Sequence, residues 1–163
     1  MERTIKINSF LPYTSELVWR ALTDAKLLGS WFMENNIKPE LNHYFTFQMA
    51  PQKGWDGITH CEIIALEPIR HIAYSYRGEA TGEKALACAG LHSVTADKMM
   101  NGIFTRLDTV VSFTLEPTCG GTILSLKHSG YRGLKLVVIS LIIQMGWKKQ
   151  LRKRLPKTLE RMT

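Results

Sequence analysis

The side chains best suited to acid–base, nucleophilic or metal chemistry are dispersed along this sequence. The histidines are His43, His60, His71, His92 and His128. They lack the spacing of a metal-ligand motif, and the cysteines at positions 61, 88 and 119 lack it as well. The chain also has no glycine-rich phosphate loop. The sequence therefore predicts no metal and no cofactor.

A nucleophile is the next chemistry to consider. Ser129 directly follows His128, but the sequence places no general base or orienting carboxylate beside it. Neither a Gly-x-Ser-x-Gly elbow nor a His-Glu-x-x-His motif occurs. We therefore predict no catalytic residue, and the pattern favours a binding protein without excluding an enzyme.

An inner surface with few polar groups is the stronger candidate for a site. If alternate residues of several predicted strands face a helix, they form a mostly apolar wall. Its members are Phe45, Phe47, Tyr74, Tyr76, Val111, Phe113, Leu124, Leu126 and His128. Apolar walls with sparse orienting groups are typical of small-molecule pockets. The same side chains could instead pack against the helix and leave no cavity.

Alternation of apolar and polar residues predicts the strands that carry this surface. The predicted strands are 3–10, 44–49, 58–67, 72–77, 107–115 and 122–128. Thr14-Ser15 and Thr23-Asp24 are good N-caps, so two short helices are expected after the first strand. Hairpins follow one another without a βαβ rhythm, and the predicted fold class is α+β.

A long helix in two parts is predicted from Gly133 to Met162. Residues 136–143 are apolar except for Ser140, which predicts a deeply buried segment, too short for a membrane span of about 20 residues. After Gly146, an apolar residue recurs every fourth position, at 147, 151, 155 and 159, and this spacing forms one stripe. Pro156 predicts a bend, because proline removes a helical hydrogen bond.

Charge and composition limit the partners. The 163 residues are 45% apolar and 21% charged, which fits one soluble domain. Residues 147–163 carry seven basic side chains and one acid, so most of the net charge of +7 lies there. Such a cluster can attract nucleic acid or an anionic membrane, but a solvated helix face is the favoured interpretation. We predict no nucleic-acid partner, and membrane contact through the charged helix face alone, because the sheet uses the apolar stripe.

The location predicted from the sequence is the cytoplasm. The first residues lack the apolar segment of a signal peptide. The cysteines are odd in number and widely spaced, which argues against a disulfide framework.

Several pieces of the sequence resemble proteins similar to the activator of heat-shock-protein-90 ATPase, within the START, polyketide-cyclase and birch-pollen-allergen superfamily (SRPBCC). These pieces are Leu17-Val18-Trp19-Arg20-Ala21-Leu22-Thr23-Asp24 with Trp31-Phe32, Phe45-x-Phe47-x-Met49, Leu66-Glu67-Pro68 before Ile72-Ala73-Tyr74, Gly121-Thr122 before Leu126-x-His128-Ser129-Gly130-Tyr131, and Gly146-Trp147. The resemblance implies a helix-grip fold, in which a curved antiparallel sheet wraps around a long carboxy-terminal helix with a cavity between them.

The resemblance covers one domain, residues 1–163, except for an insertion at 78–106. The family has a short connection here, whereas this chain has 29 residues. A segment of this length is either disordered or functional. The two alternatives for it are a passive flap and a lid over the cavity mouth.

Three functions follow as expectations. The first is non-enzymatic binding or transport of a small hydrophobic molecule, either a lipid or an aromatic metabolite. The second is a chaperone-regulating protein–protein interaction. The third, a cyclase- or hydrolase-type activity, rests only on the superfamily, in which cavity Tyr, Arg and His residues of cyclases do acid–base work.

Overall fold

Within the residues that the structure describes, seven strands form one curved antiparallel sheet. The structure is a computed structural model and describes residues 1–49, 58–78 and 107–163. The strands are β1 Glu2–Leu11, β2 Glu34–Asn35, β3 Tyr44–Gln48, β4 Ile58–Glu67, β5 His71–Gly78, β6 Leu107–Thr118 and β7 Gly121–Arg132. Their order across the sheet is β1-β7-β6-β5-β4-β3-β2. The α+β class and the helix-grip architecture predicted from the sequence are confirmed.

Two short helices follow β1, as the capping residues predict. They are α1 Ser15–Thr23 and α2 Ala25–Trp31. The Thr14 side chain accepts a hydrogen bond from the Leu17 amide, and the Asp24 carboxylate accepts one from the Leu27 amide. Each cap satisfies an amide that has no partner within its own helix.

The carboxy-terminal helix consists of α3 Leu134–Lys149, a π-helical turn Gln150–Arg154, and α4 Leu155–Met162. The Leu155 amide donates to the Gln150 carbonyl, five residues back, which is the π pattern. Pro156 lies in the first turn of α4, where its missing N–H is tolerated. The structure thus accommodates Pro156 by a π-helical turn followed by a restart of the α-helix.

The apolar stripe of the second part of this helix is confirmed. Trp147, Leu151, Leu155 and Leu159 are all buried in the core against the sheet and the two short helices. Ser30 of α2 also exchanges a hydrogen bond with Thr158 of α4 at 3.0 Å. The end of the helix is therefore held by apolar packing of its stripe and by a hydrogen bond to α2.

The predicted deep burial of residues 136–143 is wrong. In α3 only Ile139, Ser140 and Trp147 are buried, whereas Val138 and Leu141 are exposed. The physical reason is that the sheet covers only one side of α3. On that side Arg3 of β1 donates to the Ser140 hydroxyl at 2.7 Å and to the Gln144 side chain, so polar contacts join the helix to the edge strand.

The predicted insertion at 78–106 lies outside the described residues, except for Gly78, which ends β5. Its proposed roles as a flap or a lid stay predictions. None of the described helices is long and apolar enough to cross a membrane.

Candidate ligand-binding site

All of the predicted site residues lie on the face of the sheet that is turned towards the core. They come from alternate positions of β3, β5, β6 and β7. The buried ones are Phe45, Phe47, Tyr74, Val111, Phe113, Leu124, Leu126 and His128, and Tyr76 is partly exposed. Alternation along the strands therefore identifies the correct face of the sheet.

The aromatic members of this set contact one another. The ring centroids of Phe45 and Tyr74 are 5.2 Å apart, and those of Phe45 and Phe47 are 5.4 Å apart, both edge to face. Tyr74 continues to Phe113 at 6.5 Å, and Phe47 continues to Tyr76 at 6.1 Å. These are favourable aromatic geometries. The residues belong to the core, and a cavity bounded by them stays a prediction.

Trp147 joins the sheet to the long helix at the centre of this surface. Its ring stacks on Phe32, at the end of α2, with a centroid separation of 4.8 Å, and meets Phe113 edge to face at 5.9 Å. The sequence assigned Trp147 only to the helical stripe and did not place Phe32 at the site. Their motifs, Trp31-Phe32 and Gly146-Trp147, were visible, but only the fold brings them together.

His128 is the polar centre of the site, and its tautomer follows from its partners. The Trp147 indole donates from Nε1 to His128 Nδ1 at 3.0 Å. Since an indole N–H is only a donor, Nδ1 is the acceptor and the proton lies on Nε2. That nitrogen is 2.8 Å from the Thr109 hydroxyl, which donates in turn to the Tyr76 carbonyl at 3.0 Å. A directed chain therefore runs from the helix through His128 to β5.

Burial keeps this imidazole neutral. It lowers the pKa of His128 from 6.5 to about 3. A second proton on Nδ1 would also face the Trp147 N–H, and two donors would then oppose each other. At neutral pH, His128 is a hydrogen-bonding group that carries no charge and has little capacity as a base.

A β-bulge in β7 places Tyr131 beside His128. In the pairing of β7 with β1, two residues between His128 and Tyr131 oppose one residue of β1. Gly130 in the bulge has φ of +105°, and a Cβ there would lie 3.0 Å from the Asp108 carbonyl oxygen. The bulge turns Tyr131 inwards, so its hydroxyl lies 3.0 Å from His128 Nδ1.

The other titratable groups facing the interior are neutral as well. Burial raises the pKa of Tyr76, and a hydrogen bond with the Thr59 side chain partly offsets that rise. Burial also raises the pKa of Tyr131 and of the Cys61 thiol. The site thus offers aromatic faces and neutral hydrogen-bonding groups, which is the chemistry that suits an uncharged, mostly apolar molecule.

Comparison with known proteins agrees with the resemblance seen in the sequence. A family model described as "Activator of Hsp90 ATPase homolog 1-like protein" matches residues 12–160. No protein with a curated description matches the chain. The match spans both short helices, the sheet from β2 onwards and nearly all of the final helix.

Solved structures agree in fold over almost the whole chain. Protein MLL2253 from Mesorhizobium loti is 29% identical with a TM-score of 0.75, over 99% of both chains. CalU16 from Micromonospora echinospora is 22% identical with a TM-score of 0.66, over 97% of this chain and 76% of its own. Protein BH1534 from Bacillus halodurans is 22% identical with a TM-score of 0.67, over 96% of both chains. The family model confirms the assignment made from the sequence, and the solved structures agree with its fold.

Proposed function

The chain belongs to the family of Activator of Hsp90 ATPase homolog 1-like proteins, and we propose that it binds a small hydrophobic molecule between the sheet and the carboxy-terminal helix. Proteins of this family and its superfamily typically bind hydrophobic ligands. We propose a lipid or an aromatic metabolite without charge as the ligand class. Binding or transport, rather than catalysis, is the proposed role.

The observation that carries this proposal is the neutral polar cluster set into an aromatic wall. His128, Tyr131 and Thr109 are all buried, and burial keeps the imidazole uncharged. A charged ligand would lose its hydration here without gaining an ion pair, which is costly. An apolar ligand with one or two hydroxyl or carbonyl groups meets both kinds of surface.

Tyr76 is the group of this wall through which a ligand would be recognised. It is the partly exposed member of the predicted set, and its ring contacts both Phe47 and His128, at 6.1 Å and 5.5 Å between centroids. It therefore lies between the aromatic wall and the polar cluster. A ligand that reaches the cluster from the end of β5 would contact this ring first.

The test is a thermal-shift screen of uncharged lipids and aromatic metabolites with the full chain. A ligand that binds only the native state raises the unfolding free energy by about 2.7 kcal/mol at a hundredfold excess over Kd. We expect Tyr76→Phe to reduce the shift for ligands that carry a hydroxyl or carbonyl. Tyr44→Phe is the matched control, because Tyr44 is 73% exposed on the same sheet. Flat melting temperatures across the whole screen would contradict the proposal.

Chaperone regulation is the second candidate function, and membership of a family named after an activator of Hsp90 ATPase favours it. We propose it only as an alternative. The test is the ATPase turnover of a purified Hsp90 chaperone with and without the chain. An unchanged turnover at saturating concentrations of the chain would contradict this alternative, and it would not affect the proposal of ligand binding.

A further inference from the structure

The exposed side of α3 carries apolar side chains in a narrow stripe. Leu134, Val138, Leu141 and Met145 are 68%, 38%, 52% and 67% exposed. At 3.6 residues per turn these four positions fall within an arc of about 60°. The opposite side of the helix, with Ile139 and Ser140, faces the sheet. The stripe is therefore a fixed surface of the folded domain.

Basic residues border this stripe. Lys148 and Lys149 fall within about 20° of its two margins one turn further along the helix, and both are exposed. From residue 134 to residue 159 the chain has seven Lys and Arg residues and no Asp or Glu. All seven are exposed, and none makes an ion pair with a described residue.

We propose that this stripe and its basic border dock the protein on the surface of an anionic phospholipid bilayer. An interfacial helix needs an apolar face to enter the headgroup boundary and cations to meet anionic headgroups. α3 and the turn after it provide both on one side. The inference does not depend on a ligand in the interior, and it revises the expectation that the helix can offer a membrane charge alone.

Charge complementarity favours this occupant over the other candidates. A second copy of the chain would bring a second uncompensated set of cations against the first. A nucleic-acid backbone would meet the cations but leave the four apolar side chains in water. A bilayer that contains anionic lipid satisfies both parts of the surface.

The test is cosedimentation of the full chain with vesicles of phosphatidylcholine, with and without phosphatidylserine. We expect binding only with phosphatidylserine, and weaker binding at high salt. The double substitution of Leu134→Gln with Leu141→Gln should lower the partition coefficient about tenfold or more. Lys148→Gln with Lys149→Gln should lower it about fivefold per lysine.

Phe10→Gln with Ile64→Gln is the matched control, because both side chains are exposed on strands, at 57% and 47%. It should leave binding unchanged, and circular dichroism should show every variant folded. Three results would overturn the proposal. They are no binding to phosphatidylserine vesicles, binding that the leucine substitutions leave intact, and a dimer in light scattering that the leucine substitutions dissociate.

Discussion

At the scale of single residues, the neutral state of His128 decides what the interior can do. The imidazole uses Nδ1 to accept from Trp147 and Nε2 to donate to Thr109. Both nitrogens are therefore engaged, and a proton shuttle through this residue would have to break a buried hydrogen bond. His128 instead connects the helix to the sheet through these two hydrogen bonds. Its neutral state should make the stability of the protein depend on pH.

The first prediction concerns that pH dependence. The pKa of His128 is about 3 in the folded protein, compared with 6.5 for the imidazole of the unfolded chain. Below pH 6.5 the unfolded chain takes up a proton that the folded chain refuses, so stability falls as pH falls. The slope from this residue is at most about 1.4 kcal/mol per pH unit. Urea unfolding between about pH 7 and about pH 5 measures it, since ordinary carboxyl pKa values lie below that window.

The matched variants for this measurement are His128→Gln and His60→Gln. The first removes the buried imidazole, so the slope should become shallower even though the absolute stability also drops. The second removes an exposed imidazole on β4, and it is the control for losing a histidine outside the core. A slope that His128→Gln does not change would contradict the prediction, because His128 would then bind its proton equally in the folded and unfolded states.

At the scale of elements, the bulge in β7 is the feature that brings Tyr131 to the candidate site. Without it, strict alternation would turn Tyr131 away from the face that carries His128. Gly130 makes it possible, because its φ of +105° and its close approach to β6 both exclude a side chain. The position of the Tyr131 hydroxyl in the polar cluster therefore depends on Gly130.

Gly130→Ala is the second prediction, and we expect it to destabilise the protein by more than about 1 kcal/mol. Two costs add here, the positive φ and a Cβ placed 3.0 Å from the Asp108 carbonyl oxygen. Gly120→Ala is the matched control, because Gly120 has φ of +85° with nothing within 4 Å of its Cβ. Urea unfolding of both variants separates the costs, and equal losses would contradict a close approach at Gly130.

The same elements explain what the sequence could and could not predict. Strands that alternate regularly, such as β3, are predicted to within a residue or two, and so is the inward face. The end of β7 was missed because the bulge breaks the period of two. The burial of α3 was mispredicted because an all-apolar run has no period that says which side is covered.

The candidate site was predicted in part for a related reason. Its wall follows from local alternation, which each strand carries in its own sequence. The chain of hydrogen bonds from Trp147 to Tyr76 joins residues from helix and sheet, and its existence depends on distances of about 3 Å that only the folded chain sets. Thr109 gives no sign of this role beyond its place in a predicted strand, and Tyr131 lies beyond the predicted end of β7 at residue 128.

At the scale of the whole molecule, Cys61 and Cys119 report how the sheet opens. Cys61 is buried on β4 between β3 and β5, whereas Cys119 is exposed in the turn between β6 and β7. Burial also raises the pKa of the Cys61 thiol, so less of the reactive thiolate is present. To reach Cys61, a thiol reagent needs the central strands to separate.

The third prediction is therefore a large difference in labelling rate. With Cys88→Ser in the background, Cys119 should react rapidly because it is exposed. Cys61 should react at least about a thousandfold more slowly, because a domain is stable by roughly 5–15 kcal/mol. Mass spectrometry after timed quenching measures both rates in one sample. Similar rates would mean that β3 and β4 separate locally without global unfolding. A ligand found in the screen should lower the labelling rate of Cys61 further and leave that of Cys119 unchanged. Only Cys61 becomes accessible by opening the sheet, and a ligand bound against the sheet would oppose that opening.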